Sequence, residues 1–283
     1  MFNSSLKKEA LKIHENTLTS YNNSYEIMEK TCEQLYEIRN RSVNLIKFIE
    51  DVINSIANTP KHFDSDLGRI NKELAKFRET EEYVKEAYEN SLKAGVDILG
   101  GAAAGLGIAS LAPTALMSIA TTFGTASTGT AISALSGAAA QKAAVAWIGR
   151  TFAGFAVKEG AGMAAGNAFL ALAGPVGWGI TAASTGISLI SLSNKNKKLA
   201  DEAVEEAKEI AKARESLDET TEKIRSLKTK TETLFYDMNN QRSRIVKFRN
   251  LDYTSLSDQD KYFLGSLVNN ALSLSVFLNE NVE

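Results

Sequence analysis

The centre of this 283-residue chain carries almost no charge. Residues 98–194 contain four charged side chains, which are Lys142, Arg150, Lys158 and Glu159, whereas the sequence as a whole has 32 basic and 34 acidic residues. Of its 19 glycines, 17 lie between Gly95 and Gly186. We therefore divide the sequence into three parts: a charged arm (1–93), an apolar Gly/Ala-rich head (94–194) and a second charged arm (195–283).

The first arm has the pattern of a helical hairpin. Apolar residues recur at intervals of three and four from Leu6 to Ile56, which is typical of one buried stripe on a long helix of about 50 residues. Pro60 disfavours helical geometry at Thr59 and predicts a turn there. Asp64 or Ser65 is expected to cap a second helix, which continues past Tyr88. A small buried hydrophobic role is expected for Cys32, which falls on the first stripe.

The last arm repeats this pattern. A stripe from Leu199 to Ile245 predicts a second long helix that runs to about Asn250, with charged pairs on its other face. A helix start at residues 257–260 leads into a final apolar helix from Tyr262 to Leu278. The sequence thus predicts an all-α fold: an elongated helical bundle of long amphipathic arms with a central apolar helical head. Because neither stripe is a strict heptad, a bundle within one chain is favoured over a two-chain coiled coil.

Two stretches of the head are long and uncharged enough to span a bilayer. Residues 98–123 contain eight Leu, Ile or Phe side chains, which together favour insertion by roughly 4 kcal/mol before the polar residues oppose it. Residues 163–192 give a similar sum. Between them, Lys142 and Arg150 would cost about 5 to 7 kcal/mol at mid-membrane, so this piece is predicted to lie at an interface with Trp147 as an anchor. Such marginal insertion favours a protein that is soluble first and inserts later.

Small residues in the head are spaced for close helix packing. Gly101 and Gly105 are four residues apart, as are Gly162 and Gly166, and small residues at this spacing let helices approach closely in a membrane or a protein core. These four glycines are the predicted packing sites. The charged residues of the head, with Trp147, are the candidates for a pore lumen or an interface: Lys142, Trp147, Arg150, Lys158 and Glu159. For Lys158 and Glu159 an ordinary surface pair remains the alternative.

The sequence offers little for catalysis. One cysteine and two histidines (His14 and His62, far apart) provide no pattern for a nucleophile, a general base or a metal site, so no catalytic, cofactor-binding or metal-binding residues are predicted. Residues 124–130 have the glycine spacing of a phosphate loop but carry Thr130 where that motif needs lysine. A net charge of −2 argues against a nucleic-acid partner. The first residues have no signal-peptide pattern, which predicts cytoplasmic synthesis followed by membrane association or release without a cleaved signal.

The layout resembles the α-helical pore-forming toxins of the cytolysin A and haemolysin BL type, which combine a long helical tail with an apolar head. The stretch GTASTGTAISALSGAAA followed by AVAWIG is similar to a segment of a broad group of bacterial helical proteins with Gly/Ala-rich centres. Apolipoprotein-L-like channel proteins share the general plan. The resemblance implies a membrane-active protein, not an enzyme, and transfers no individual residue.

Three functions are therefore open. The first is a pore-forming protein that inserts residues 98–123 and 163–192 into a bilayer as a homo-oligomer, with an accessory or immunity protein as a further partner. The second is a soluble helical scaffold or partner-binding protein with an Ala/Gly-packed core. The third is a resident two-span membrane protein with cytosolic arms.

Overall fold

A computed structural model describes residues 4–93, 118, 121–122, 194–280 and 282 of the chain. Of the described residues 89% are helical and none forms a strand, which confirms the predicted all-α class. They fall into two compact units. The first contains residues 4–30, 86–93 and 194–222, and the second contains residues 31–85, 118, 121–122, 223–280 and 282. The elongated bundle and the three-part division of the chain stay predictions.

Five α-helices form the described part of the fold. Their bounds are α1 Ser4–Asn54, α2 Lys61–Lys93, α3 Asn194–Asn239, α4 Arg242–Ile245 and α5 Asp258–Phe277. Two 3₁₀ turns, Val246–Phe248 and Tyr253–Ser255, connect α4 to α5. Within these residues no helix is long and apolar enough to cross a membrane. The predicted spans 98–123 and 163–192 lie outside the described residues apart from Ser118, Thr121 and Thr122.

The first predicted helix is confirmed, since α1 covers 51 residues without a break. The predicted start of α2 is wrong by four or five residues, because a cap at Asp64 or Ser65 implies a helix from residue 65 or 66 whereas α2 begins at Lys61. The amide of Phe63 donates to the carbonyl of Pro60 at 2.9 Å, so the first turn forms directly after the proline and needs neither Asp64 nor Ser65 as a cap. Proline suits a helix start because its missing N–H would have no partner within the helix there.

The predicted end of the second long helix is also wrong. α3 ends at Asn239, eleven residues before Asn250, and the chain turns through residues 240–241 into the short α4. Ile245 and Phe248 are both buried beyond that turn, which a straight continuation of α3 would not require. The helix start at residues 257–260 is confirmed: Ser257 caps α5, because its hydroxyl accepts from the amide of Asp260.

The second unit contains a dense core of large aliphatic and aromatic side chains. α1 contributes a continuous buried row and α5 supplies a second one, while α2 and α3 complete the core with fewer residues. The most buried members include Leu35, Ile46, Ile49, Ile53, Phe63, Ile70, Phe77, Leu264 and Leu274. Cys32, the one cysteine of the sequence, is buried, as expected for a small hydrophobic residue.

Among the residues that the structure describes, the first unit has the thinner core, whose buried apolar side chains are Ala10, Tyr21, Met28, Ala200, Ala203, Ala207, Ile210 and Leu217. Its best-defined cluster consists of Ala10, Ala200 and Ala203, with Val204 packed against it. Leu6 and Ile13, which the sequence placed on the buried stripe of α1, are each 46% exposed. That part of the stripe prediction is wrong, because the apolar periodicity extends beyond the residues that another helix covers.

Candidate functional site: a buried arginine clamp

A fully buried arginine lies in the middle of the second unit. Arg39 of α1 is 0% exposed. It follows Leu35 by four residues and precedes Ser42 by three, so the helical repeat places it on the buried face of α1. Arginine is rarely buried completely unless its donors are satisfied.

Three backbone carbonyls satisfy this guanidinium. Its Nε donates to the carbonyl of Phe277 at 3.0 Å, and Nη1 donates to that of Thr121 at 2.9 Å. Nη2 donates to the carbonyl of Glu280. Within the described residues the guanidinium forms no ion pair with a carboxylate. Arg39 is therefore a clamp that holds two separate chain segments, through their backbones, against α1.

Burial lowers the pKa of Arg39 to about 10, and the nearby Cys32 and Glu280 oppose this shift. Removal from water penalises the charged form of a basic group, which is the direction seen here. A pKa near 10 still leaves the guanidinium charged at neutral pH. The clamp therefore consists of charge-assisted hydrogen bonds, which are roughly twice as strong as neutral ones.

The first clamped segment belongs to the apolar head. Ser118, Thr121 and Thr122 are helical and at most 4% exposed. Both threonine hydroxyls donate to the carbonyl of Ser118, Thr121 at 3.2 Å and Thr122 at 2.6 Å. Their polar groups are thus paired inside the protein. This segment lies within the predicted span 98–123.

The second clamped segment follows α5. Besides the two carbonyls that bind Arg39, it donates the amide of Val282 to the carbonyl of Thr122 at 3.2 Å. The side-chain amide of Asn279 donates to the backbone carbonyl of Glu73 on α2 at 2.9 Å and to its carboxylate at 2.7 Å. Residues 277–280 and 282 therefore contact α1, α2 and the head segment at once.

A second polar contact joins α1 and α2 near the clamp. The hydroxyl of Tyr36 donates to Oε1 of Glu81 at 2.6 Å. Burial, and then this hydrogen bond, raise the pKa of Tyr36 to about 12. The tyrosine therefore keeps its proton at neutral pH.

The residues that the sequence singled out for function lie elsewhere. All nine lie outside the described residues: Gly101, Gly105, Lys142, Trp147, Arg150, Lys158, Glu159, Gly162 and Gly166. Their roles in helix packing and in a lumen or interface stay predictions. Sequence reasoning missed Arg39, although its signal was present: it is a charged residue at a position where the stripe requires an apolar one.

The clamp is built to hold rather than to catalyse. Among the described residues, the groups that accept hydrogen bonds from its guanidinium are backbone carbonyls, which are neither nucleophiles nor general bases. In the part of the chain that the structure describes, no group of three or more His, Cys, Asp or Glu side chains is placed to hold a metal ion. The expectations that the protein has no cofactor and is not an enzyme stay predictions.

Comparison with known proteins gives no guide to this site. No family model matches the sequence, and no curated protein or solved structure matches it significantly. Any function for the chain must therefore be argued from its own residues.

Proposed function

We propose that the protein is a membrane-active, pore-forming type of helical protein whose apolar head is held by the helices until it inserts into a bilayer. In this proposal residues 98–123 and 163–192 insert as part of a homo-oligomer. The observation that carries the proposal is the hydrogen bond from buried Arg39 to the carbonyl of Thr121, a residue of the first predicted span. It supports the proposal because it ties one piece of the predicted head to α1.

The free energy that holds the Thr121 segment against α1 is similar in size to the free energy that favours insertion of residues 98–123. A hydrogen bond to a charged group contributes about 1.5 to 3 kcal/mol. The large apolar residues of 98–123 favour insertion by roughly 4 kcal/mol before the polar residues oppose it. A single clamp of this strength is therefore enough to shift the balance between the held state and the inserted state.

Dye release from lipid vesicles tests the proposal directly. The purified full-length chain is added to vesicles that contain a quenched dye, and the wild type is compared with Arg39→Met. Loss of the donors should loosen the Thr121 segment, so we expect the variant to release dye several-fold faster. Arg41→Met is the matched control, because Arg41 lies two residues along the same helix and is exposed. It should leak at the wild-type rate.

A second variant covers the case in which Arg39→Met fails to fold. Deletion of residues 279–283 leaves Arg39 in place and removes the Glu280 carbonyl and the Asn279 bonds to Glu73. Faster leakage from this variant supports the proposal. If the wild type and both variants are helical by circular dichroism and none releases dye from vesicles of any lipid composition, the proposal is wrong and a helical scaffold takes its place.

A further inference from the structure

A basic surface with exposed apolar residues covers the loop region between α3 and α5. We define this basic tip by its four basic residues and three apolar residues: Arg242, Arg244, Lys247, Arg249, Val246, Leu251 and Tyr262. Residues 238–251 contain all four of these basic residues and no acidic one. Since the whole chain has a net charge of −2, this segment is a local reversal of charge.

The tip is held in one shape by the turn that follows α1. The amide of Ala57 donates to the carbonyl of Leu251, and the amide of Tyr253 donates to the carbonyl of Ala57, both at 2.9 Å. The amide of Asn250 donates to the hydroxyl of Ser55 at 3.1 Å. Buried Ile245 and stacked Phe248 anchor the other side of the loop. The exposed residues between these anchors are therefore presented on a preformed surface.

The apolar residues of the tip face solvent to an unusual degree. Tyr262 is 79% exposed, Val246 48% and Leu251 41%. Single exposed hydrophobic residues are common on soluble proteins. Val246 and Leu251, however, lie within the segment 238–251 that carries the four basic residues, and Tyr262 directly follows Lys261. Basic residues interleaved with aliphatic and aromatic ones are typical of surfaces that dock at the interface of a bilayer.

Two acidic residues near the tip, Asp252 and Asp260, are already engaged. Asp260 forms an ion pair with Arg244 at 3.1 Å. Asp252 accepts hydrogen bonds from Thr254 and from the side-chain amide of Asn58. Within the part of the chain that the structure describes, Lys247 and Arg249 form no ion pair. Their charges are available to an anionic partner.

We infer that the basic tip docks on the surface of an anionic lipid bilayer. Lys247 and Arg249 would bind lipid phosphates, while Val246, Leu251 and Tyr262 would enter the headgroup layer. A nucleic acid fits less well, because aliphatic side chains gain nothing from its phosphate backbone. Arg39 lies 15 residues before the end of α1, about 22 Å along the helix, so docking would bring the clamped head segment near the membrane. The inference rests on the proposed membrane activity and assigns the first contact with the bilayer.

Vesicle co-sedimentation of the full-length chain tests this surface. The probes are phosphatidylcholine vesicles with and without about one third phosphatidylserine, and the variant is Lys247→Glu combined with Arg249→Glu. Each basic residue near an anionic membrane contributes about a factor of five to binding, so losing two should weaken binding to the anionic vesicles at least 30-fold. Wild-type binding should also fall as salt rises, because added ions screen surface charges.

Lys72→Glu combined with Lys76→Glu is the matched control. Both lysines are exposed on α2, and the pair makes the same change in net charge. Binding by this control should stay within about threefold of the wild type. The inference is wrong if the tip variant and the control bind anionic vesicles equally well.

A second pair, Val246→Ser with Tyr262→Ser, separates the apolar contribution from the charge. It should weaken binding about tenfold or more and leave the salt dependence unchanged. Dye release recorded in the same samples separates the two proposals. Tip-dependent binding without leakage supports docking and contradicts pore formation, whereas equal leakage by the wild type and the tip variant supports pore formation and contradicts docking.

Discussion

The two parts of α1 differ sharply in what they bury. In residues 31–54 the described buried apolar side chains are Cys32, Leu35, Ile38, Val43, Leu45, Ile46, Ile49, Val52 and Ile53. In residues 5–30 they are Ala10, Tyr21 and Met28, and Leu6, Leu11, Ile13 and Ile27 are exposed. Among the described residues, this uninterrupted helix thus passes from a thinner core to a thicker one. Helical periodicity alone therefore does not decide which apolar residues are buried, because burial depends on the area that a packing partner covers.

The arginine clamp belongs to the thick part, and its removal should have the largest effect. Arg39→Met leaves the carbonyls of Thr121, Phe277 and Glu280 without their donor. Unsatisfied buried polar groups cost about 1 to 3 kcal/mol each, partly offset because a buried cation is removed. We expect the free energy of unfolding in urea to fall by about 3 kcal/mol.

The control for this substitution is Arg41→Met. Its guanidinium is exposed and contacts the rings of Phe235 and Tyr236. Exposed contacts of this kind contribute about 0.5 to 1 kcal/mol, so the loss should stay below 1 kcal/mol. Equal losses in the two variants would mean that Arg39 does not act as a clamp.

Apolar truncations compare the two cores directly. Ile49→Ala in the thick core should lower the free energy of unfolding by about 3 kcal/mol, because Ile49 is 1% exposed and the cavity remains partly open. Ala203→Gly in the thin core should cost about 1 kcal/mol through helix propensity and one buried methyl group. Chemical denaturation of both variants measures the difference. Similar losses would break the contrast between the two parts of α1.

Hydrogen exchange tests the same contrast without a substitution. Amides of α1 in residues 8–27 should exchange at least tenfold faster than those in residues 35–53, since regions with few buried contacts open at lower free energy. Mass spectrometry of peptic fragments at neutral pH resolves the two stretches. Uniform protection along α1 would show that the helix opens as one unit.

The smallest effect is expected at Tyr36, and it depends on pH. Its pKa is raised to about 12 in the folded protein, whereas a free tyrosine has a pKa near 10. A raised folded-state pKa contributes stability that is fully present below pH 10 and is lost as the pH rises through 12. The difference in unfolding free energy between wild type and Tyr36→Phe should therefore shrink from pH 9 to pH 12.

The size of this effect is at most about 1 kcal/mol, because Tyr36 is only half buried and solvent screens its bond to Glu81. Urea unfolding at each pH measures it. A constant difference for Tyr36→Phe would mean that the hydroxyl is not held as described.

Much of the helical framework could be predicted from local patterns. The bounds of α1 follow from its apolar repeat and from Pro60, and the start of α5 follows from the Ser257 cap. The end of α3 could not be predicted, because the stripe continues to Ile245 while the chain itself turns at residues 240–241. Ile245 is buried on the short α4 instead, and periodicity cannot distinguish these two ways of burying one residue.

The Arg39 clamp could be predicted from the sequence even less well than the end of α3. The sequence shows that a charged residue, Arg39, occupies a position on the apolar stripe of α1. It does not show which groups accept the hydrogen bonds of its guanidinium. Its partners Phe277 and Glu280 are 238 and 241 residues away along the chain, and they contribute backbone carbonyls that carry no sequence signal. The uncharged stretch 98–194, by contrast, is visible at once because composition is a local property.

The sequence by itself determined the helical class, the positions of the long helices and the chemical contrast between the charged arms and the apolar centre. All three depend on residue type and spacing over a few turns of helix. The tertiary structure decided which part of α1 is thickly covered, where α3 ends, and which two segments Arg39 holds. These features depend on which groups, distant along the chain, come into contact. Removing a guanidinium from water costs so much free energy that it must find hydrogen-bond acceptors, but the sequence does not indicate which groups these are.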